Sequence, residues 1–269
     1  MVAQAPVQAI EIRRRRAGSE ASCQDWLAVE APLLISVDHP EWPSPQTLTV
    51  TLRTPGHDAE LALGYLYAEG VLEHSALVAT RLVAPDQLRV ELAGVPPELS
   101  ALARSGPMHG GCGVCGKLDA AALWRLPATA VTGTRRLPDA VLRAAPAALR
   151  AAQQDYAQTG GVHAVALYDY QGQLKALRED IGRHNALDKL IGAAFHAGSL
   201  PWQDQLLLLS GRASAELIHK AWHAGASVVA AIGAPSTLAV SLAEQAGITL
   251  IGFLRADGYN VYTHPERLQ

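Results

Sequence analysis

Polar and apolar residues alternate through Thr47-Leu48-Thr49-Val50-Thr51-Leu52, the period of a strand with one face buried. Thr54-Pro55-Gly56-His57-Asp58 then turns the chain, and Asp58 is placed to cap a helix. In that helix Leu61, Tyr65 and Ala68 share one face, and Gly70 ends it. Upstream, Asp25–Val29 reads as a first strand, with Pro32 interrupting the following apolar run. Downstream, two short strands are expected near Arg81–Val83 and Gln87–Leu92. Residues 1–24 carry no such period and are expected to form a flexible, solvated tail.

After Pro127–Gly133, which reads as a domain boundary, the period changes. Helices are expected near Pro138–Ala144 and Pro146–Gln158, the second stopped by Gly160-Gly161. Strands then alternate with helices. The strands are Val162–Tyr168, Leu174–Glu179, Gln205–Leu209, Val228–Ile232 and Thr249–Leu254; the helices are Asn185–His196, Ala215–Ala224 and Leu238–Ala246. Near-continuous apolar strands imply a sheet covered on both faces. The expected organisation is an α/β chain: a smaller α+β domain over residues 25–126 and a larger three-layer α/β/α domain over 127–269.

Sheets of this kind bind ligands in loops beyond the carboxyl ends of their strands. Four such loops carry Gly together with Ser, Thr, Asp or Arg: Asp180–Asn185, Ser210–Ser214, Gly233–Thr237 and Arg255–Gly258. Arginine forks and helix N-termini both suit phosphate oxygens, so the loops together suit a phosphorylated ligand. In single loops the same residues serve equally well as caps and turns. Net charge is −3, so no basic field recruits nucleic acid, and an anionic ligand must rely on these local donors. No apolar run approaches the ~20 residues of a membrane span. Arg13-Arg14-Arg15-Arg16 is followed by no apolar run, so it is not expected to be an export signal.

The chemistry points to one loop, Gly110-Gly111-Cys112-Gly113-Val114-Cys115-Gly116-Lys117. It holds two of the three cysteines, and Cys23 stands alone, the usage of a reducing compartment. Glycines leave both sulfurs accessible, and Lys117 favours the thiolate, the reactive form.

These motifs, with Gly160-Gly161-Val162-His163-Ala164, Glu179–Lys189, Ser210-Gly211-Arg212, Thr54-Pro55-Gly56 and Asn260–Arg267, resemble the formate dehydrogenase accessory sulfurtransferase family across roughly residues 25–269. The resemblance implies a persulfide carrier. Cys112 would take sulfur from a cysteine desulfurase, with Cys115 as its partner. The acceptor would be a molybdenum or tungsten bis(pyranopterin guanine dinucleotide) cofactor destined for formate dehydrogenase, with GDP as a partial mimic. It further implies a cytoplasmic homodimer whose larger domain resembles the cytidine deaminase fold. Gly252-Phe253-Leu254-Arg255-Ala256-Asp257 would lie against the guanine nucleotide, with Arg183, His184, Arg212 and Asn260 nearby. His109, before the first loop cysteine, departs from the small hydroxyl residues expected there.

Other chemistries compete. Structural zinc wants four ligands, and no second CxxC exists, although two of His109, His163 and His184 could complete a set. The H-x-E…P-C-x-x-C signature of a deaminase is absent. A thioredoxin-like CxxC should open a helix, whereas glycines flank this one. A cofactor carrier without sulfur chemistry of its own is the non-enzymatic alternative. His163 reads as a packed core histidine and His184 as ligand-facing. Asp188 is placed to orient His184 or to pair with an arginine, and Lys220 reads as a surface charge or a ligand contact.

Overall fold

A computed structural model describes residues 5–73, 75–97, 127 and 129–269. The chain begins with an antiparallel hairpin, β1 (Val7–Arg16) and β2 (Ser19–Ala28), where a solvated tail was expected. Gly18 at φ 80° closes the two-residue turn between Arg16 and Ser19. The arginine run is a strand because acids stand across from it: Glu20 faces Arg13 and Arg15, and Asp25 faces Arg14. The strand expected at Asp25–Val29 is the end of β2. Pro32 lies inside the next strand instead of interrupting it.

β3 (Ala31–Asp38), β4 (Gln46–Arg53), β5 (Ser75–Ala84) and β6 (Gln87–Gly94) form a sheet in the order β4-β3-β6-β5. Its inner face gives Leu33, Ile35, Val37, Leu48, Leu88 and Val90 to a core closed by α1 (Asp58–Ala68) through Leu61 and Leu66. Asp58 is not the cap of α1. His57, at φ 59°, holds that position, and the Asp58 carboxylate takes both prongs of the Arg53 guanidinium at 2.8 and 2.9 Å.

The second module is built on α2 (Asp139–Ala152), α3 (Gln154–Thr159), β7 (His163–Asp169), β8 (Leu174–Asp180), α4 (Arg183–His196), β9 (Gln205–Leu209), α5 (Ala215–His223), β10 (Val228–Ala231), α6 (Thr237–Ala246), β11 (Thr249–Gly252) and β12 (Asn260–Thr263). α2 runs through Pro146, where the sequence suggested a break. Leu142, Ala145 and Leu149 recur at i, i+3 and i+7 and are all buried, and that apolar stripe offsets the missing amide donor. The sheet order is β12-β11-β10-β9-β7-β8. Strand alternation divides its side chains between two layers. Leu207, Leu209, Val229 and Leu250 pack towards α4, α5 and α6; Leu206, Leu208, Val228 and Ile251 pack towards α2. The module is therefore three layers, α/β/α, as the apolar strands implied.

β9, β10 and β11 are parallel, and β7 is antiparallel to both β8 and β9. β8 consequently points the same way as β9–β11, and all four end at one edge of the sheet. The starts of β7 and β12 reach that same edge, with His163 opposite Asp180 and Asn260 opposite Gly252.

α1 and α4 join the modules at two glycines. A Cβ on Gly64 would overlap the Asp188 carbonyl, and one on Gly192 would overlap the Glu60 carbonyl. Backbones meet where side chains ordinarily stand, and this close approach fixes the start of α4 against the first module. Arg178 of β8 clasps Glu60 of α1 at 2.6 and 2.7 Å alongside.

Candidate functional site

The loop from β8 into α4 is held by one carboxylate. Asp180, fully buried, accepts from Lys189 Nζ at 2.7 Å, Thr54 N at 3.1 Å, Gly182 N at 2.8 Å and Asn185 Nδ2 at 3.1 Å. Lys189 also donates to the Thr54 carbonyl at 2.8 Å, and Thr54 Oγ1 accepts from Ile181 N at 3.0 Å. The Thr54-Pro55-Gly56 turn of one module is thus tied to the loop carrying Arg183 and His184 in the other. Burial pushes the Asp180 carboxyl up, against the opposing pull of Lys189 and the donor hydrogen bonds.

A first cavity of about 230 Å³ opens beside this junction. Thr49, Thr51 and Leu52 of β4, Leu61 and Tyr65 of α1, Gly182–Asn185 at the start of α4, and Glu216 and Lys220 of α5 contribute to its wall. Lys220 is neither a surface charge nor a free cation. It is buried, bonded to Asp188 at 2.7 Å, and stands 5.2 Å from the centre of the Tyr65 ring. Asp188 pairs with Lys220, and Glu216 brings a carboxylate to 3.4 Å from His184 Nε2. Ser214 Oγ lies 3.5 Å from the same nitrogen.

A second, more open cavity of about 540 Å³ lies along the carboxyl edge on the α2 side of the sheet. Arg150 of α2, Tyr156 of α3, Gly160-Gly161, Ser210, Leu254 and Arg255 line it. Arg150 stacks on the Tyr156 ring at 3.9 Å. Arg255 Nη1 donates to the Ile232 and Leu254 carbonyls at 2.7 and 2.8 Å, which fixes the guanidinium and leaves its other nitrogens for a ligand. α3 is itself held by Glu179, whose carboxylate accepts from the amides of Gln154, Asp155 and Tyr156 at 2.8 to 3.0 Å.

His163 lines both cavities. It is half-buried at the start of β7, a shared wall and not a core residue. Burial pushes its imidazole below the ordinary 6.5, the Arg183 and Arg212 charges act in the same direction, and Asp180 opposes them.

The sequence grouped Arg183 and His184 with Arg255. The structure divides them: the first two open on the first cavity, and Leu254 and Arg255 on the second. Arg212 is exposed close to His163. A Cβ on Gly252 would overlap the Pro235 ring and press on Tyr262. Phe253, at φ 53° and 46% exposed, turns outward, and Ala256, Asp257 and Asn260 are exposed beyond it. Cys112 and Cys115, with His109 and Lys117, lie outside the described residues. Arg150, Tyr156 and the two-sided role of His163 escaped sequence reasoning. Arg150 and Tyr156 belong to different helices and follow no motif, so their stack has no periodic signal. Among the described residues no helix is long and apolar enough to cross a membrane.

Fold and site together define a two-module α/β protein with adjoining ligand cavities at the carboxyl edge of its larger sheet. The chain belongs to the FdhD/NarQ family, whose sequence profile matches residues 28–269. It is 44% identical over 272 residues to a sulfur carrier protein FdhD of Mycobacterium tuberculosis, covering 96% of each chain. It is 36% identical over 263 residues to that of Sulfolobus acidocaldarius, covering 97% of this chain and 98% of the other. A crystal structure of a putative formate dehydrogenase accessory protein from Desulfotalea psychrophila superposes with a TM-score of 0.72 at 20% identity, over 98% of this chain and 99% of that one. That likeness concerns the fold alone.

Proposed function

We propose that this protein is a sulfur carrier serving formate dehydrogenase. In this reading it receives persulfide sulfur from a cysteine desulfurase on Cys112. It delivers that sulfur to a molybdenum or tungsten bis(pyranopterin guanine dinucleotide) cofactor, bound as substrate, and works as a homodimer in the cytoplasm. One observation carries the reading: the family match over residues 28–269 contains the glycine-flanked Cys112-Gly113-Val114-Cys115 pair with Lys117 beside it. The Cys112 thiolate attacks the outer sulfur of the donor's persulfide; the donor's S–S bond breaks, its cysteine leaves as a thiolate, and Cys112 carries an S–SH group. On delivery, the Cys115 thiolate attacks the Cys112 Sγ. The Sγ–S bond breaks, and the outer sulfur leaves as hydrosulfide towards the cofactor. A Cys112–Cys115 disulfide remains, which a dithiol reductant reopens.

The second cavity is the proposed nucleotide site. Its volume of about 540 Å³ lies within the ~300–1,000 Å³ of small-molecule pockets, and the first cavity's about 230 Å³ does not. Arg255 and Arg150 would meet the phosphates, with Gly252–Asp257, Arg212 and Asn260 along the rim.

Intact-mass spectrometry after incubation with desulfurase and L-cysteine tests the sulfur step. Wild type and Cys115→Ala should gain sulfur, and Cys112→Ala should not. Failure of wild type to gain sulfur, with GDP still bound, would favour a cofactor carrier without sulfur chemistry. A zinc ion held by both loop cysteines in active protein would overturn the carrier reading. Light scattering tests the dimer.

A further inference from the structure

The first cavity differs from the second in the donors it leaves unused. One wall is the N-terminus of α4, whose cap residue Gly182 has no side chain and whose first turn holds no acid. The leading amides of a 14-residue helix therefore face the cavity with no side-chain cap. Arg183, the first residue of that helix, lines the same space, and its buried Nε has no acceptor among the described residues. Across the cavity Thr49 is only 5% exposed, and its Oγ1 likewise has no partner among the described residues. Its neighbour on the same strand face, Thr51, gives its hydroxyl to Asn185 Oδ1 at 3.3 Å. β4 is thus docked on the start of α4, with Thr49 next along the wall. Buried donors are ordinarily satisfied, and two unsatisfied side-chain donors, Arg183 Nε and Thr49 Oγ1, beside a helix start without a side-chain cap point to an acceptor that enters from outside.

The charge of the wall narrows what that acceptor is. Asp188 is paired with Lys220 at 2.7 Å, whereas Glu216 Oε2, a buried acceptor with no hydrogen-bond partner among the described residues, lies 3.4 Å from His184 Nε2. What remains is the Arg183 guanidinium and the positive end of α4, opposed by Glu216 and the exposed Glu30. A dianionic phosphate would stand among three carboxylates, Glu30, Asp188 and Glu216, with one uncommitted guanidinium to offset them. A single negative charge on two oxygens fits the donors. Ile35, Leu61 and Tyr65 offer an apolar surface for a short hydrocarbon body.

We propose that the first cavity is a binding site for a small monocarboxylate. Its oxygens are held by Arg183, the leading amides of α4 and the Thr49 hydroxyl. The site is separate from the proposed nucleotide cavity, with which it shares the His163 wall.

The test is NMR titration of the full chain with formate, acetate and propionate, using inorganic phosphate and ethylammonium chloride as controls. The carboxylates should shift the amides of Arg183, His184 and Asn185 saturably. Thr49→Val and Arg183→Gln should each weaken binding about tenfold or more, the scale of one lost charge-assisted hydrogen bond. Arg255→Ala, in the second cavity, should leave it unchanged. Thermal melts establish that each variant is folded. If Thr49→Val does not fold, Arg183→Gln and the wild-type amide shifts decide the matter. Absence of saturable carboxylate binding in wild type, wild-type affinity in both variants, or tighter binding of inorganic phosphate than of acetate would each overturn the proposal.

Discussion

Glu179 and Asp180 are neighbours on β8, and their carboxylates brace opposite sides of one sheet. Glu179 accepts three amides at the start of α3, beside the second cavity. Asp180 takes Lys189, Thr54, Gly182 and Asn185 beside the first. Successive side chains on a strand point to opposite faces, so one dipeptide supports both cavities. Glu179→Ala would leave the α3 amides without acceptors, at about 1 kcal/mol by comparison with a lost helix cap. We expect a small fall in melting temperature, weaker GDP binding and intact carboxylate binding in the first cavity. An unchanged GDP affinity would separate α3 from the nucleotide site.

The Asp180–Lys189 pair is buried on both sides. Removing one partner of such a pair strands a charge, at about 3–5 kcal/mol. Lys189→Met should therefore be severely destabilised in urea melts. Asp180→Asn with Lys189→Met should recover part of that loss, because the stranded charge is gone. A double variant as unstable as the sum of the singles would mean the two side chains act independently.

Glu60 gives the acid limb of stability a defined origin. Burial raises its carboxyl, but the Arg178 fork and His57 outweigh that and hold it at about 2, against an ordinary 4.5. The folded value lies below the unfolded one, so the stabilisation is full above about 4.5 and is lost as pH falls through about 2. Its size is about 3 kcal/mol, from a drop of 4.5 to about 2 on a side chain 25% exposed. Chemical denaturation between these pH values should show a steep slope in wild type and a shallower one in Glu60→Gln. Equal slopes would place the acid sensitivity elsewhere.

Much of this architecture was legible because apolar periodicity and exposed turn residues carry local signals. Gln205–Leu209 is a short apolar run, the helices that follow carry apolar stripes and are followed by Gly225 and Gly247, and all three stand where the pattern put them. What escaped were elements decided across space. The Arg13–Arg16 strand exists because Glu20 and Asp25 face it, and α2 survives Pro146 because the sheet beneath buries Leu142 and Leu149. The site followed the same division. Strand exits marked where ligand residues gather, but nothing local told which side of the sheet each would face. Arg183 and Arg255 therefore looked like one cluster, and Lys220 read as a surface charge or a ligand contact, with nothing to show that Asp188 pairs with it in the interior.

His163 should be neutral when the protein works near pH 7. Burial and the charges of Arg183 and Arg212 depress its imidazole. Arg212→Gln removes one of those charges from an exposed position and should raise the His163 titration midpoint in NMR. The stability held by the neutral ring is present above the unfolded value of 6.5 and is lost as pH falls through the folded one. A midpoint unmoved by Arg212→Gln would mean that desolvation alone sets it.

The two cavities make the nucleotide assignment separable by single substitutions. Arg255 is anchored by the Ile232 and Leu254 carbonyls, so its remaining donors are already oriented and a phosphate would lose little by ordering them. Arg150, stacked on Tyr156, stands on the same wall. Calorimetric titration with GDP should show binding weakened about tenfold in Arg255→Ala and in Arg150→Ala, the scale of one charge-assisted hydrogen bond each. Arg183→Ala should bind GDP as wild type does, because Arg183 faces the other cavity. Asp257, exposed on the loop after β11, can accept from the guanine N–H groups, and adenine lacks that donor pair. Asp257→Asn should therefore narrow the preference for GDP over ADP while leaving ADP affinity alone. In the proposed reading the persulfide forms on Cys112 without the nucleotide, so each variant should still gain sulfur there. If Arg183→Ala loses GDP and Arg255→Ala keeps it, the nucleotide belongs to the first cavity and the assignment made here is reversed.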